Sequence, residues 1–89
     1  MIWKVEYLAS VKKDVKKLDI QTRLRIKNFI ENSLATSKDP RELGRALKGE
    51  KFGEFWRYRL GDYRIICKIT DNKLAILVVK IGHRKDVYK

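Results

Sequence analysis

The chain has 89 residues, 44% of them hydrophobic, which predicts one small domain over residues 1–89 and excludes a collagen-like or disordered chain. Its 22 lysines and arginines outnumber its 11 aspartates and glutamates, and the net charge of +11 favours a polyanionic partner: nucleic acid, the ribosome, an acidic protein or anionic lipid. The single cysteine excludes a disulfide framework and a cysteine-rich zinc site. The sequence has no signal-peptide pattern, and no apolar run approaches the ~20 residues that span a bilayer. We therefore expect a cytoplasmic protein without a membrane partner.

The first half of the chain predicts a strand followed by two helices. Residues 2–7, IWKVEY, alternate between apolar and polar, which is typical of a strand with one buried face. The spacing then changes to that of amphipathic helices, and Asp19 is placed to cap the second one. The apolar positions of the two helices are Leu8, Val11, Val15 and Leu18, and then Ile26, Phe29, Ile30 and Leu34. Pro40 interrupts the pattern, and one further helical turn is expected before Gly49.

The second half predicts an antiparallel meander with strands near 53–60, 63–70 and 73–81. Gly61-Asp62 suits a two-residue type II′ hairpin turn, and Asp71-Asn72 suits a second tight turn. The last strand is apolar at both parities, so we expect it to be covered on both faces. The predicted fold is α+β, in the order β-α-α-β-β-β, with both helices packed on one face of the sheet.

The two turns fix a register that gathers positive charge on one face. Arg59 would lie opposite Arg64, and residue 62 near residue 81, because a two-residue hairpin sets its own pairing. Arg57, Arg59, Arg64 and Lys68 would then share the face away from the helices. The core face would hold Trp56, Tyr58, Leu60, Tyr63, Ile65, Cys67, Ile69, Leu74, Ile76 and Val78, so Cys67 is expected to be buried and unreactive.

Like charges directly opposed on a sheet cost up to ~1 kcal/mol, so the arginine cluster suggests a polyanionic ligand. The alternative is that the arginines extend into water or pair with Glu54 and Asp62. The same register brings the C-terminal residues beside the cluster, with His83 on the basic face, that is, the sheet face that carries the arginines. Guanidinium, imidazole and phenol groups suit cleavage of RNA by its own 2′-OH. The alternatives are a structural His83 and a tyrosine, Tyr88, that only anchors the tail.

Three motifs resemble the RelE toxins of type II toxin–antitoxin systems, in the RelE/ParE superfamily. They are LKG at 47–49, YRLGDYRIICKI at 58–69 and VVKIGHRKDVYK at 78–89. The resemblance implies a fold like that of microbial ribonucleases and cleavage of mRNA in the A site of the 30S ribosomal subunit, through 2′-OH attack that gives a 2′,3′-cyclic phosphate. It also implies a cognate RelB-like antitoxin, which the charge of this chain predicts to be acidic. We expect no cofactor and no metal, because the chain has one histidine, one cysteine and no clustered carboxylates.

The resemblance also assigns residue roles. Arg64 matches a phosphate-stabilising arginine, Arg84 a second catalytic arginine, and Tyr88 a tyrosine that stacks on the substrate base. Arg57 and Arg59 stand where the best-known RelE toxins have lysines, one of them proposed as the general base. Arginine is a poor base, so His83 becomes a candidate for that role. The expected catalytic residues are Arg64, His83, Arg84 and Tyr88, and the expected RNA-binding residues are Arg57, Arg59, Lys48, Lys51 and Lys68.

Two other functions share these sequence features. One is a ParE-like toxin that acts on DNA gyrase without nuclease activity, and would not need the cluster of arginine, histidine and tyrosine. The other is an RNA- or ribosome-binding module that performs no chemistry.

Overall fold

A computed structural model describes residues 2–47 and 54–88 and has a five-stranded mixed sheet. The strands are β1 (Lys4–Tyr7), β2 (Arg45–Ala46), β3 (Trp56–Leu60), β4 (Tyr63–Thr70) and β5 (Ala75–His83), in the order β1-β5-β4-β3-β2. Strand β1 runs parallel to β5, and all other pairs are antiparallel. Within the described ranges, no helix is long and apolar enough to cross a membrane.

Two helices cover one face of this sheet and confirm the predicted α+β fold. They are α1 (Ala9–Lys16) and α2 (Ile20–Phe29), and a π-helical turn, Ile30–Leu34, continues α2. Asp19 caps α2 as predicted, since its Oδ2 accepts a hydrogen bond of 3.1 Å from the Thr22 amide. The Arg23 guanidinium donates to the carbonyls of Lys16 and Leu18, which closes the connection between the two helices.

The core lies between the helices and the predicted core face of the sheet. Its fully or nearly fully buried side chains include Val11, Ile26, Ile30, Leu34, Tyr58, Ile65, Cys67, Ile76 and Val78. Burial raises the pKa of the Cys67 thiol to about 12, so its reactive thiolate form is scarce at neutral pH. Leu8 is an exception to the predicted pattern: it precedes α1 and is 40% exposed.

The turn at Gly61-Asp62 forms as predicted. Gly61 has a φ of +59°, Asp62 does not adopt a positive φ, and this combination is typical of a type II′ turn. Arg59 therefore lies directly opposite Arg64, and Leu60 opposite Tyr63.

The second turn is longer than predicted. Residues Asp71–Lys73 form a 3₁₀ turn, Leu74 closes it in the left-handed conformation with φ +47°, and Thr70 pairs with Ala75. Leu74 was expected in the core but is 40% exposed at this turn.

A β-bulge in β5 changes the register a second time. Cys67 pairs with Val78 but Ile66 pairs with Lys80, so Val79 is an extra residue that reverses the alternation of faces beyond it. Ile81 therefore pairs with Ile65 and is buried in the core, and His83 pairs with Tyr63 on the core side of the sheet. The prediction that residue 62 lies near residue 81 was wrong because the longer turn and the bulge both shift the register. The prediction that His83 lies on the basic face was wrong because of the bulge.

Candidate functional site

The sheet face opposite the helices carries the predicted arginine cluster and two cations that the sequence did not suggest. Arg45 lies opposite Arg57 across β2 and β3, and Lys80 lies opposite Ile66 across β4 and β5. We call this surface the basic face; its cations are Arg45, Arg57, Arg59, Arg64, Lys68 and Lys80. Lys48 and Lys51, which were expected to bind RNA, lie outside the described residues.

Arg64 is buried although it lies on this face. Its side chain is 7% exposed, and its Nη1 donates to the carbonyls of Gly61 at 2.9 Å and Tyr63 at 2.8 Å. These bonds fix the guanidinium beside the β3–β4 turn. Arg64 therefore supplies a positive charge in a fixed position and also stabilises the hairpin.

The C-terminal residues dock next to the arginine cluster. The Arg84 amide donates to the Asp62 carbonyl at 2.7 Å, and the Val87 amide donates to the His83 carbonyl at 2.9 Å. Val87 packs over Gly82 and is 1% exposed. The predicted proximity of the tail to Arg59 and Arg64 is thus present, although the register that produces it differs.

Asp62 and Glu54, the two carboxylates expected to pair with the arginines, each contact one cation near the basic face. Asp62 Oδ1 lies 3.7 Å from Arg84 Nε, and Glu54 lies 4.0 Å from Lys68. Both pairs are solvent-exposed, and such pairs are weak and easily exchanged for another anion. The Arg84 side chain is 56% exposed and remains accessible to a ligand.

His83 lies beside this cluster in sequence but on the core side of the sheet, and its ring has two defined contacts. The Tyr63 ring meets it edge-on, with centroids 5.8 Å apart and an interplanar angle of 80°. The Lys85 amide donates to His83 Nδ1 at 3.2 Å. Because Nδ1 accepts this bond, the neutral imidazole carries its proton on Nε2.

Tyr88 follows Val87 in the docked tail. Its side chain is 39% exposed. In the described part of the chain, no group of three His, Cys, Asp or Glu side chains is arranged to hold a metal ion.

Sequence reasoning missed Arg45 and Lys80 for different reasons. Strand β2 has only two residues, too few for a periodic pattern, so nothing in the sequence placed Arg45 in the sheet. The face that Lys80 occupies depends on the bulge at Val79, and a strand that is apolar at both parities does not reveal where a bulge falls.

Comparison with known proteins places these features in a family. Residues 5–88 match the family described as ParE toxin of type II toxin-antitoxin system, parDE. Toxin RelG of Mycobacterium tuberculosis is 27% identical over 89 residues, which cover 100% of this chain and 99% of that protein. The crystal structure of the RelBE2 toxin–antitoxin complex from Mycobacterium tuberculosis contains a chain with TM-score 0.86 at 22% identity, covering 97% of this chain and 95% of that one. The archaeal RelE–RelB complex from Pyrococcus horikoshii contains one with TM-score 0.76 at 27% identity, covering 98% of this chain and 100% of that one.

Proposed function

The chain belongs to the ParE toxin family, among the RelE/ParE toxins of type II toxin–antitoxin systems, and from this premise we propose that it is a ribosome-dependent mRNA endoribonuclease. The substrate is mRNA in the A site of the 30S subunit. The 2′-OH of one nucleotide attacks the adjacent phosphorus, the bond from phosphorus to the 5′-oxygen breaks, and a 2′,3′-cyclic phosphate remains. Water accepts the 2′ proton, and a proton from water reaches the departing 5′-oxygen.

The observation that carries this proposal is the docking of the C-terminal residues against the β3–β4 turn. The Arg84 amide bonds to the Asp62 carbonyl, and its exposed guanidinium lies 3.7 Å from the Asp62 carboxylate, at the turn that joins the strands of the opposed pair Arg59 and Arg64. Charge accumulates on the phosphate oxygens as the nucleophile attacks, and guanidinium groups held in place stabilise it without having to reorganise. In this arrangement Arg84 and Arg64 stabilise the reacting phosphate.

The remaining residues position the RNA. Arg57, Arg59 and Lys68 bind backbone phosphates on the basic face, with Lys48 and Lys51 proposed for the same role from the sequence. Tyr88 stacks on an unpaired base, as aromatic side chains do in single-stranded RNA recognition. His83 presents Nε2–H and donates a hydrogen bond to a phosphate or leaving-group oxygen. The Lys85 contact favours this donor role over that of a general base, because the base would need a free lone pair on Nε2.

The variant Arg84→Gln tests the proposal. It removes an exposed guanidinium, so the rate of cleavage of mRNA on programmed ribosomes should fall by about 10²–10³, the usual loss for one fixed charge-stabilising donor. The melting temperature should not change. Primer extension on the mRNA measures the rate. Arg64 is a less selective target, because Arg64→Gln also removes two hydrogen bonds from the hairpin turn.

Lys85→Gln is the matched control. It makes the same change of charge at the next, exposed residue and keeps the backbone amide that contacts His83. This variant should cleave at nearly the wild-type rate. Full cleavage by Arg84→Gln, or equal loss in both variants, would contradict the assignment.

The partner we propose is a RelB-like antitoxin. The Mycobacterium tuberculosis and Pyrococcus horikoshii relatives were crystallised with antitoxins, and this chain shares their fold along nearly its whole length. A partner that covers the basic face has to bring negative charge to it, so the antitoxin segment that does so is acidic.

A second candidate is action on DNA gyrase, favoured by the match to the ParE family. Such a toxin has no need for the docked arrangement of Arg84 beside Arg59 and Arg64. Accumulation of cleaved DNA–gyrase complexes, with mRNA left intact, would establish this candidate in place of the nuclease.

A further inference from the structure

A cleft of about 260 Å³ opens at the β2 edge of the sheet, beside the basic face. It is lined by Glu42, Leu43, Gly44, Arg45, Arg57 and Arg59. None of the residue roles assigned above involves Arg45. The cleft adjoins the residues proposed for cleavage, since Arg59, one of its lining residues, lies directly opposite Arg64.

Close packing fixes the position of Arg45. A Cβ at Gly44 would lie 2.5 Å from the Arg57 carbonyl oxygen and 2.7 Å from the Tyr58 ring, so only glycine allows β2 to approach β3 this closely. The buried Tyr58 hydroxyl donates to the Pro40 carbonyl at 2.8 Å and anchors the turn that precedes β2. Arg45 is therefore held opposite Arg57 by the fold itself.

The cleft has more positive charge than the described residues neutralise. Three guanidinium groups line it against one carboxylate, Glu42. Within residues 2–47 and 54–88, the ion pairs include neither Arg45 nor Arg57 nor Arg59. The Nε of Arg57 is buried and has no hydrogen-bond partner in the same part of the chain. A buried donor without an acceptor is costly, and an anion in the cleft would lower that cost.

The arginines form two cross-strand pairs that repeat along the sheet. Arg45 faces Arg57, and two residues further along β3, about 7 Å away, Arg59 faces Arg64. The phosphates of an extended RNA strand recur at a similar spacing, whereas a single carboxylate side chain would occupy only one of the two pairs. A repeating array of cations therefore fits a repeating polyanion better than it fits an isolated acidic residue.

We propose that the cleft binds the RNA backbone phosphate next to the one that is cleaved, with Arg45 and Arg57 as its two ligands. The proposal rests on the proposed function and extends it, because it defines a second phosphate subsite and the direction in which the RNA crosses the sheet, from the β3–β4 turn towards the β2 edge.

A phosphate scan tests the subsite by binding alone. The probes are 2′-O-methyl oligoribonucleotides, which lack the nucleophile and cannot be cleaved, each with one phosphodiester replaced by a neutral methylphosphonate. Wild-type protein should bind about tenfold more weakly to the probe whose neutral linkage occupies the cleft than to the unmodified probe, as expected for the loss of one charge-assisted hydrogen bond. Arg45→Gln should bind the unmodified probe about tenfold more weakly, with a salt slope lower by ~0.7, and should be insensitive to neutralisation of that one linkage.

Lys13→Gln makes the same change of charge on the exposed side of α1 and is the matched control. Its affinities for the series of probes should equal those of wild type. If the scan of Arg45→Gln equals that of wild type, or if wild type cleaves on ribosomes without binding the probes, the subsite is overturned and the nuclease assignment stands. If wild type neither binds nor cleaves, both fail. Weaker binding of Arg45→Gln to the antitoxin with unchanged RNA binding would assign the cleft to a protein carboxylate and overturn the proposal.

Discussion

One contact on His83 separates the roles that its two nitrogens can have. Nδ1 accepts from the Lys85 amide and so helps to shape the start of the docked tail, while Nε2 presents a proton. Asparagine can replace the first function, because its side-chain oxygen can accept a hydrogen bond from the amide two residues on. Glutamine can replace the second, because its longer side chain carries an N–H near the position of Nε2.

The two variants give opposite predictions. If donation from Nε2 is the contribution of His83, His83→Gln should keep more of the cleavage rate than His83→Asn, and His83→Asn should lose about 10²-fold. Single-turnover cleavage on programmed ribosomes measures the difference, and the melting temperature of each variant checks that the Tyr63 contact is lost equally. Equal inactivity of both variants would favour a general-base role for His83. Higher activity of His83→Asn than of His83→Gln would mean that His83 contributes only by shaping the tail.

At the scale of elements, an ion pair ties the turn before β2 to the turn between β4 and β5. Arg41 donates from Nη1 to Asp71 Oδ1 at 2.9 Å and from Nη2 to Asp71 Oδ2 at 2.6 Å. The hydrogen bonds from Arg41 hold the pKa of Asp71 below its ordinary value. A carboxyl with a lowered pKa stabilises the folded state above the pKa of its unfolded form, and this stabilisation is lost as the pH falls through the lower, folded pKa.

Asp71→Asn should therefore lower the free energy of unfolding at pH 7 and leave it unchanged in strong acid. The measurement is the midpoint of urea unfolding between pH 7 and pH 2, where the curves of wild type and variant should converge. Arg41→Gln should remove the same acid-sensitive difference, so that adding Asp71→Asn to it changes little. A gap between wild type and Asp71→Asn that stays constant down to the lowest pH would show that this pair does not contribute through its charge.

The elements that the sequence predicted well are those with a local cause. Gly61 adopts the positive φ that the type II′ turn needs, and Asp19 caps α2 through its own side chain. The second turn is closed by Leu74, a residue other than glycine in the left-handed conformation. No pattern within residues 70–75 marks Leu74 for that conformation, so the turn was predicted too short.

In the candidate site, too, the features with a local cause were predicted correctly and those with a distant cause were not. The pairing of Arg59 with Arg64 follows from the first hairpin alone and was predicted correctly. The position of His83 depends on the second turn and on the bulge at Val79, and its predicted face was wrong. Two register changes nevertheless left the tail beside the arginines, because Gly82 lies opposite Arg64 and the Arg84 amide bonds to the Asp62 carbonyl.

At the scale of the whole molecule, the net charge of +11 is divided between the two layers of the fold. Lysines on the helices face solvent on several sides, whereas the cations of the basic face lie on one surface. Attraction between a concentrated patch and an acidic partner accelerates association and weakens steeply with salt, and the same number of scattered charges has a smaller effect. The basic face, more than the total charge, should therefore control how fast the antitoxin binds.

Two triple variants with equal loss of charge test this difference. Arg57→Gln, Arg59→Gln and Lys68→Gln together remove charge from the basic face; Lys12→Gln, Lys13→Gln and Lys17→Gln together remove it from the helical layer. Stopped-flow association with the antitoxin between 50 and 500 mM salt (about 14 Å and about 4 Å of screening length) should give a steep salt dependence for wild type and the second variant, and a shallow one for the first. Equal slopes in all three would mean that net charge alone drives the encounter, and the basic face would then have no special part in recognising the antitoxin.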